Sequence, residues 1–474
     1  MAAWTPRKPK DKYDTSTEKS LDKDLTNSLS PRFIDLKKQL WKDELVESWN
    51  QVLDALEEKT ERIARLGTDI IPRVTHAELV QGLSAENLER LKDTGVIIVT
   101  DSISEKEALD WKQSIRDYAT ANKEHLVGKC SFPKDNIQIF ELYNSPAQIQ
   151  ARTHPNMIST HKALLSLLHT SNSKNHDVDL RYTLSYFDRL RIRLPGDKSY
   201  TLGPHVDGGS VERWEDPGYR AVYQKILDGG NSWKEYDPFD VSLRASAKQD
   251  LYHAVNTCSI FRPWQGWTSL SNTGPNDGTL RVLPLFKEMS AYMILRPFFR
   301  LKDGAPPRSL RKEDWEVDLE TSALPGCTAG GKQKFDNDTH PHLRLDETLL
   351  SIPMVKPGDQ VYWFCDILHA VEFEHNGKED SSVIYIPAVP LTVQNASYLR
   401  DQRETFKAGL PAPDFPSGEG ESKFTGRVTI DDIASLDGRQ TFGFERFQPG
   451  EGASEEEMKF FNEVNEMLGL PAKL

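Results

Sequence analysis

The stretch Gly203-Pro204-His205-Val206-Asp207-Gly208-Gly209-Ser210 constrains this chain more than any other. It follows the extended run Ser199-Tyr200-Thr201-Leu202 and sets a histidine and a carboxylate two positions apart. On a strand, residues i and i+2 point to the same face. An imidazole nitrogen and a carboxylate oxygen on one face can grip a metal ion. The glycines behind them allow a sharp turn and leave room beside it. Two ligands do not complete a site. The third candidate is His369, 164 positions further on, in Trp363-Phe364-Cys365-Asp366-Ile367-Leu368-His369-Ala370-Val371. A chain that uses all three must bring two distant strand ends together, which calls for long-range strand pairing. Two imidazoles and one carboxylate would leave coordination positions open for other molecules.

The remaining pattern supplies strands. Runs at 94–101, 137–142, 182–194, 259–262, 266–271, 279–283, 361–364 and 381–387 read as short strands. They are separated by turns such as Gly274-Pro275-Asn276-Asp277-Gly278 and Lys356-Pro357-Gly358-Asp359, and many short strands between Gly/Pro turns mean a sandwich or barrel. Residues 1–30 read as a flexible polar arm, and 31–75 as an amphipathic helical extension packed on the outside of the body. Residues 76–450 form the main domain, with insertions at 211–253 and 302–345, and a helix closes the chain within 451–474. The first insertion carries Trp214, Tyr219, Tyr223, Trp233, Tyr236 and Phe239. That is too aromatic for a disordered segment, so it is expected to be a folded lid or wall.

Composition narrows the function classes. The 474 residues carry a net charge of −13, which argues against a general binder of nucleic acid or of anionic membranes. No apolar run approaches the ~20 residues that span a bilayer. The N-terminus lacks the apolar core of a signal peptide. Cys130, Cys258, Cys327 and Cys365 are scattered without a CxxC pair, so reduced thiols and a cytoplasmic location are expected.

Taken together, the HxD after a strand, GPNDGTLRVLP, KPGDQVYWFCDILHAV and SSVIYIP resemble the double-stranded β-helix, a cupin-like jelly roll, of the Fe(II)/2-oxoglutarate-dependent dioxygenases. The likeness is to their phytanoyl-CoA-hydroxylase-like branch. More closely, HVDGGSVERWEDPGYRAVY, SSVIYIPAVPLT and PAPDFPSGEGESKFTGR resemble the DUF1479 family of bacteria and fungi. The resemblance implies an α+β chain with a mainly β core and flanking helices. It also implies Fe(II) on His205, Asp207 and His369, with 2-oxoglutarate, molecular oxygen and a small polar substrate as partners. The residues alone leave two other readings open: a cupin-like metal enzyme that does not use 2-oxoglutarate, and a non-catalytic jelly-roll binding protein.

One departure bears on the cosubstrate. Related oxygenases carry an Arg about 10 to 13 positions after the distal His, because a guanidinium fork matches the far carboxylate of 2-oxoglutarate. Here that window holds Glu379, Asp380, Ser381 and Ser382. Arg281 is the first substitute, with Arg191 and Arg193 as others. On 189–194 the arginines alternate with Leu190, Ile192 and Leu194, so one strand face is cationic and the other apolar.

Several residues admit plainer roles. Trp264, Trp267, Tyr362 and Cys365 read as core, and Trp214 and Tyr219 as pocket wall. His375 lies in a polar turn and is a lesser rival ligand. His340 and His342 form an HxH pair on a polar loop and are expected at the surface.

Overall fold

The computed structural model describes residues 29–126, 131–132, 138–171, 176–198, 202–254, 256–416 and 418–470. The expected flexible arm, Cys130, the loop at 172–175 and the approach run 199–201 lie outside the described residues, wholly or almost so.

The architecture mixes helices with open sheets. The larger sheet has eight strands, in the order Arg73–Thr75, Val96–Thr100, Gln360–Phe364, Trp264–Ser269, Ser381–Tyr385, Leu190–Arg193, Ile139–Phe140 and Ser131–Phe132. The smaller has five, in the order Gln333–Lys334, His205–Val206, His369–Val371, Leu280–Val282 and Leu350–Ser351. Neither closes into a barrel. The strand expected at 259–262 is not formed, and the run 182–194 is two strands, Asp179–Leu184 and Leu190–Arg193.

Alternation sets what each face of the larger sheet meets. Leu190, Ile192, Ile384 and Ile386 pack against Ala108, Trp111, Ile115 and Tyr118 of the helix Glu105–Ala121. A capping box starts that helix: Ser104 accepts from the Glu107 N–H, and Glu107 accepts from the Ser104 N–H. The other face of the sheet presents Arg189, Arg191, Gln265, Trp267, Trp363 and Tyr385 to a cavity. The smaller sheet closes the opposite side of that cavity with His205, His369, Leu280 and Val371.

The amphipathic N-terminal segment is a helix pair, Arg32–Leu40 and Leu45–Leu66. It is more than an outer layer. Leu45, Trp49, Val52, Leu53, Leu56 and Ile63 belong to the main core, and Trp49 stacks on Phe299 with ring centroids 4.4 Å apart. His340 and His342 correct the surface expectation. Both are buried, and His342 packs against Trp49, Tyr292 and Trp315. The local sequence is polar, but the aromatics that cover it come from distant segments. The 211–253 insertion is folded, and its aromatics belong to the core: Trp214, Tyr219, Tyr223, Trp233, Tyr236 and Phe239 are all buried in the main cluster.

Candidate metal centre

Strand register creates the site. His205 and His369 face each other as direct partners in an antiparallel pair, and side chains of such a pair stand close together on one face. Their ring centroids are 4.2 Å apart. Asp207 lies just past the end of its strand, at the turn made by Gly208 and Gly209 at φ +78° and +87°. A Cβ on Gly209 would come within 2.7 Å of the Gln249 backbone oxygen, so this turn requires glycine. One ligand atom from each of His205, Asp207 and His369 lies within 4.8 Å of the others. The His205 Nε2 is 3.7 Å from Asp207 Oδ1, and the His369 Nε2 is 3.6 Å from Asp207 Oδ2.

The tautomers follow from the backbone. His205 Nδ1 is 2.8 Å from the Gly203 carbonyl oxygen, and His369 Nδ1 is 3.0 Å from that of Ile367. A carbonyl only accepts, so both Nδ1 atoms carry the proton and both Nε2 atoms present lone pairs inward. Burial lowers the His205 imidazole well below its ordinary range, helped by His369 and Lys332, so it stays neutral. Burial also lowers His369, against the opposing pull of Asp207. For Asp207 burial alone would raise the carboxyl, but the cations Lys332 and Arg262 beside it hold it well below the usual range. The buried Nε2 of His205 has no hydrogen-bond partner. Two neutral imidazoles with inward lone pairs and one ionised carboxylate fit a divalent metal ion, and carbonyl-anchored Nδ1–H groups are the usual second layer of such sites.

The cavity beside this cluster is cationic and rich in donors. Arg189, Arg191, Arg262 and Lys332 line it against the carboxylates Asp188 and Asp207. Lys332 Nζ lies 2.8 Å from Asp207 Oδ1, and Arg262 Nη2 3.6 Å from Oδ2. Three donors on the wall, Arg191 Nε, Gln265 Nε2 and Trp363 Nε1, are buried without an acceptor among the described residues. Buried donors without partners are costly, so such a wall suits a ligand with several acceptor oxygens. Cys258 also lines the cavity, but burial pushes its thiol up to about 11, which keeps it protonated.

The family model described as Gig2-like matches residues 27–444. The chain belongs to the Gig2-like family. It is similar to a solved structure of GlcNAc Inducible Gene 2, GIG2 (DUF1479), from Candida albicans, with 32% identity, a TM-score of 0.83, and coverage of 94% of this chain and 96% of that one. It is also similar to the uncharacterized protein YbiU of Escherichia coli K12, 32% identical over 415 residues, which cover 84% of this chain and 91% of that protein. A solved structure of a hypothetical protein, JW0805, from Escherichia coli shares 28% identity and a TM-score of 0.74, over 88% of this chain and 99% of that one.

In this Gig2-like chain the three arginines singled out from the sequence end in different places. Arg191 lines the cavity and donates from Nη2 to the Gly278 carbonyl, at 3.1 Å. Arg193 is buried and saturated: it pairs with Asp197 at 2.9 Å and donates to the carbonyls of Glu372 and Phe373, each at 2.7 Å. Arg281 faces away. It pairs in register with Ala370, one position out of phase with His369, and its guanidinium donates to the Leu349 carbonyl at 2.7 Å.

Trp214 and Tyr219 do not line the cavity. The indole N–H of Trp214 donates to the Ile294 carbonyl, and the Tyr219 hydroxyl donates to that of Gly208, so they brace the motif from behind. Of the expected core residues, Trp264, Tyr362 and Cys365 are buried there, whereas Trp267 is buried but reaches the cavity wall. His375 is buried and lies outside the three-residue cluster.

Sequence reasoning missed Arg262, Lys332 and Arg213. Arg213 is fully buried and donates to the carbonyls of Asp207 at 2.9 Å and Gly209 at 3.0 Å, fixing the metal-motif turn. Its spacing, six positions after Asp207, was the available signal. Lys332 had none: it reaches Asp207 because Gln333–Lys334 pairs with His205–Val206.

Proposed function

We propose that this Gig2-like chain is a non-haem Fe(II)/2-oxoglutarate-dependent dioxygenase that hydroxylates, or otherwise oxidises, a small polar molecule, on a core of double-stranded β-helix type. The observation that carries the reading is the convergence of two inward-facing Nε2 atoms and the Asp207 carboxylate on the wall of a cationic cavity. His205, Asp207 and His369 would hold the metal. Bound Fe(II) would activate oxygen, which is the oxidant, while 2-oxoglutarate gives up two electrons as it decarboxylates to succinate.

The chain's own residues bind, orient and shield. Gly203 and Ile367 fix the imidazole tautomers through their carbonyls, and Arg213 holds the turn that aims Asp207. Arg191 is the cation best placed for the far carboxylate of the oxo acid. It stands on the strand beside Ser381–Tyr385, in register with Val383, and so comes near the wall where related oxygenases supply their arginine. Trp267, Trp363 and Tyr385 line the same wall with apolar surface and keep water from it.

The test is anaerobic loading with Fe(II) and 2-oxoglutarate, followed by exposure to oxygen. Expected are uptake of both, succinate formation, and loss of both in His369→Ala. Metal-loaded protein that takes up no 2-oxoglutarate would overturn the cosubstrate. Protein that takes up no metal would overturn the reading altogether.

A further inference from the structure

With a divalent metal bound, the cavity would carry more positive charge than one oxo acid neutralises. Four cations, Arg189, Arg191, Arg262 and Lys332, face two carboxylates, Asp188 and Asp207. Asp188 is shared: Arg189 Nε lies 3.4 Å from its Oδ1 and Arg262 Nη1 lies 3.3 Å from its Oδ2. Asp207 is the counter-ion of Lys332. On the reading above, Asp207 gives its charge to a divalent metal, and the dianionic cosubstrate is matched by that metal and Arg191. Lys332 then loses its partner, while Arg262 keeps Asp188. A cation left on a cavity wall without its counter-ion favours an anion that joins it.

The ammonium that loses its partner lies beside the metal motif. Lys332 and Arg262 flank the two oxygens of Asp207, whereas Arg191 donates to the Gly278 carbonyl. Arg262 is buried over the Tyr186 ring, 5.0 Å from its centroid, which holds the guanidinium in place. Lys332 is about one-third exposed, 31% by side chain, so it stands where a ligand can enter. Its position follows from register: Gln333 pairs with Val206, which sets residue 332 across from residue 207.

We infer that the substrate of this chain is a small anion, carrying a carboxylate or phosphate group that Lys332 and Arg262 bind beside Asp207. The inference rests on the proposed metal and cosubstrate reading and adds the substrate class to it. Lys332 is the specificity residue. Its ammonium exchanges the Asp207 carboxylate for the substrate's anionic group once the metal occupies Asp207.

The experiment uses the full chain with redox-silent Mn(II) and saturating 2-oxoglutarate, titrated calorimetrically with inorganic phosphate, with the monocarboxylate lactate, and with neutral lactamide as control. Binding of phosphate or lactate, without binding of lactamide, is expected. Whichever of the two binds identifies the anionic group. Lys332→Gln should weaken that binding at least ~10-fold, as removal of a charge-assisted hydrogen bond does, and Lys332→Arg should restore most of it. Mn(II) affinity in Lys332→Gln should be unchanged or tighter, because a competing cation has gone. Melting temperatures of both variants confirm folding. Failure to take up Mn(II) or 2-oxoglutarate would remove the underlying reading. Uptake of both with no anion binding, or with binding that Lys332→Gln leaves intact, would overturn this inference alone.

Discussion

Replacing the three candidate arginines one at a time by Met separates position from charge. Each change removes one guanidinium and keeps an apolar stem of similar length. In Arg191→Met the fold loses a single bond to the Gly278 carbonyl, about 1 kcal/mol. The proposed 2-oxoglutarate site would lose a charge-assisted pair, about 1.5–3 kcal/mol, or about 10- to 150-fold in Kd. In Arg281→Met the fold loses a contact to the Leu349 carbonyl, again about 1 kcal/mol. The ligand loses nothing, because the side chain points to the face opposite His369. Arg193→Met is different in kind. It leaves the buried Asp197 carboxylate without its cation, a change that costs about 3–5 kcal/mol, so it should fail in stability before it fails in binding. The assay is calorimetric titration of 2-oxoglutarate into Mn(II)-loaded protein, with a melting curve for each variant. A folded Arg281→Met that binds 2-oxoglutarate ten-fold more weakly, beside an Arg191→Met that binds normally, would refute the parity argument.

Other consequences follow from the same geometry. Mn(II) at a hundred times its Kd should stabilise the native chain by about 2.7 kcal/mol, and His369→Ala should abolish the rise in melting temperature. Arg213→Met removes the donors that hold the carbonyls of Asp207 and Gly209; metal affinity should fall about 10- to 100-fold, as measured by competition with a chromogenic chelator. Acid should destabilise the fold through His161, whose imidazole burial lowers to about 3. Below the unfolded value near 6.5 the unfolded chain binds a proton that the native chain refuses. Its contribution is therefore full above pH ~6.5 and declines by about 1.4 kcal/mol per pH unit down to about pH 3. His161→Leu should flatten the slope of unfolding free energy between pH 6 and 4 by about one proton; parallel curves for the two proteins would contradict this.

By itself the sequence determined the local items. Spacing two residues apart, with glycines after, put His205 and Asp207 together, since that outcome depends only on backbone geometry within a few residues. Alternation on 189–193 likewise separated the arginines that face inward from the leucine and isoleucine that pack on the helix Glu105–Ala121. The start of the helix Glu105–Ala121 is equally local, set by the capping box of Ser104 and Glu107. The same alternation would have turned Arg281 away from the site, had its phase relative to His369 been known. That phase is a register between strands 88 positions apart, and no local pattern encodes it. Tertiary structure alone decided that Lys332 reaches Asp207, that His340 and His342 are buried beneath aromatics from elsewhere in the chain, and that the aromatic insertion is core. Each of these depends on which distant surfaces meet, and that is settled by the packing of the whole chain rather than by the chemistry of any one segment.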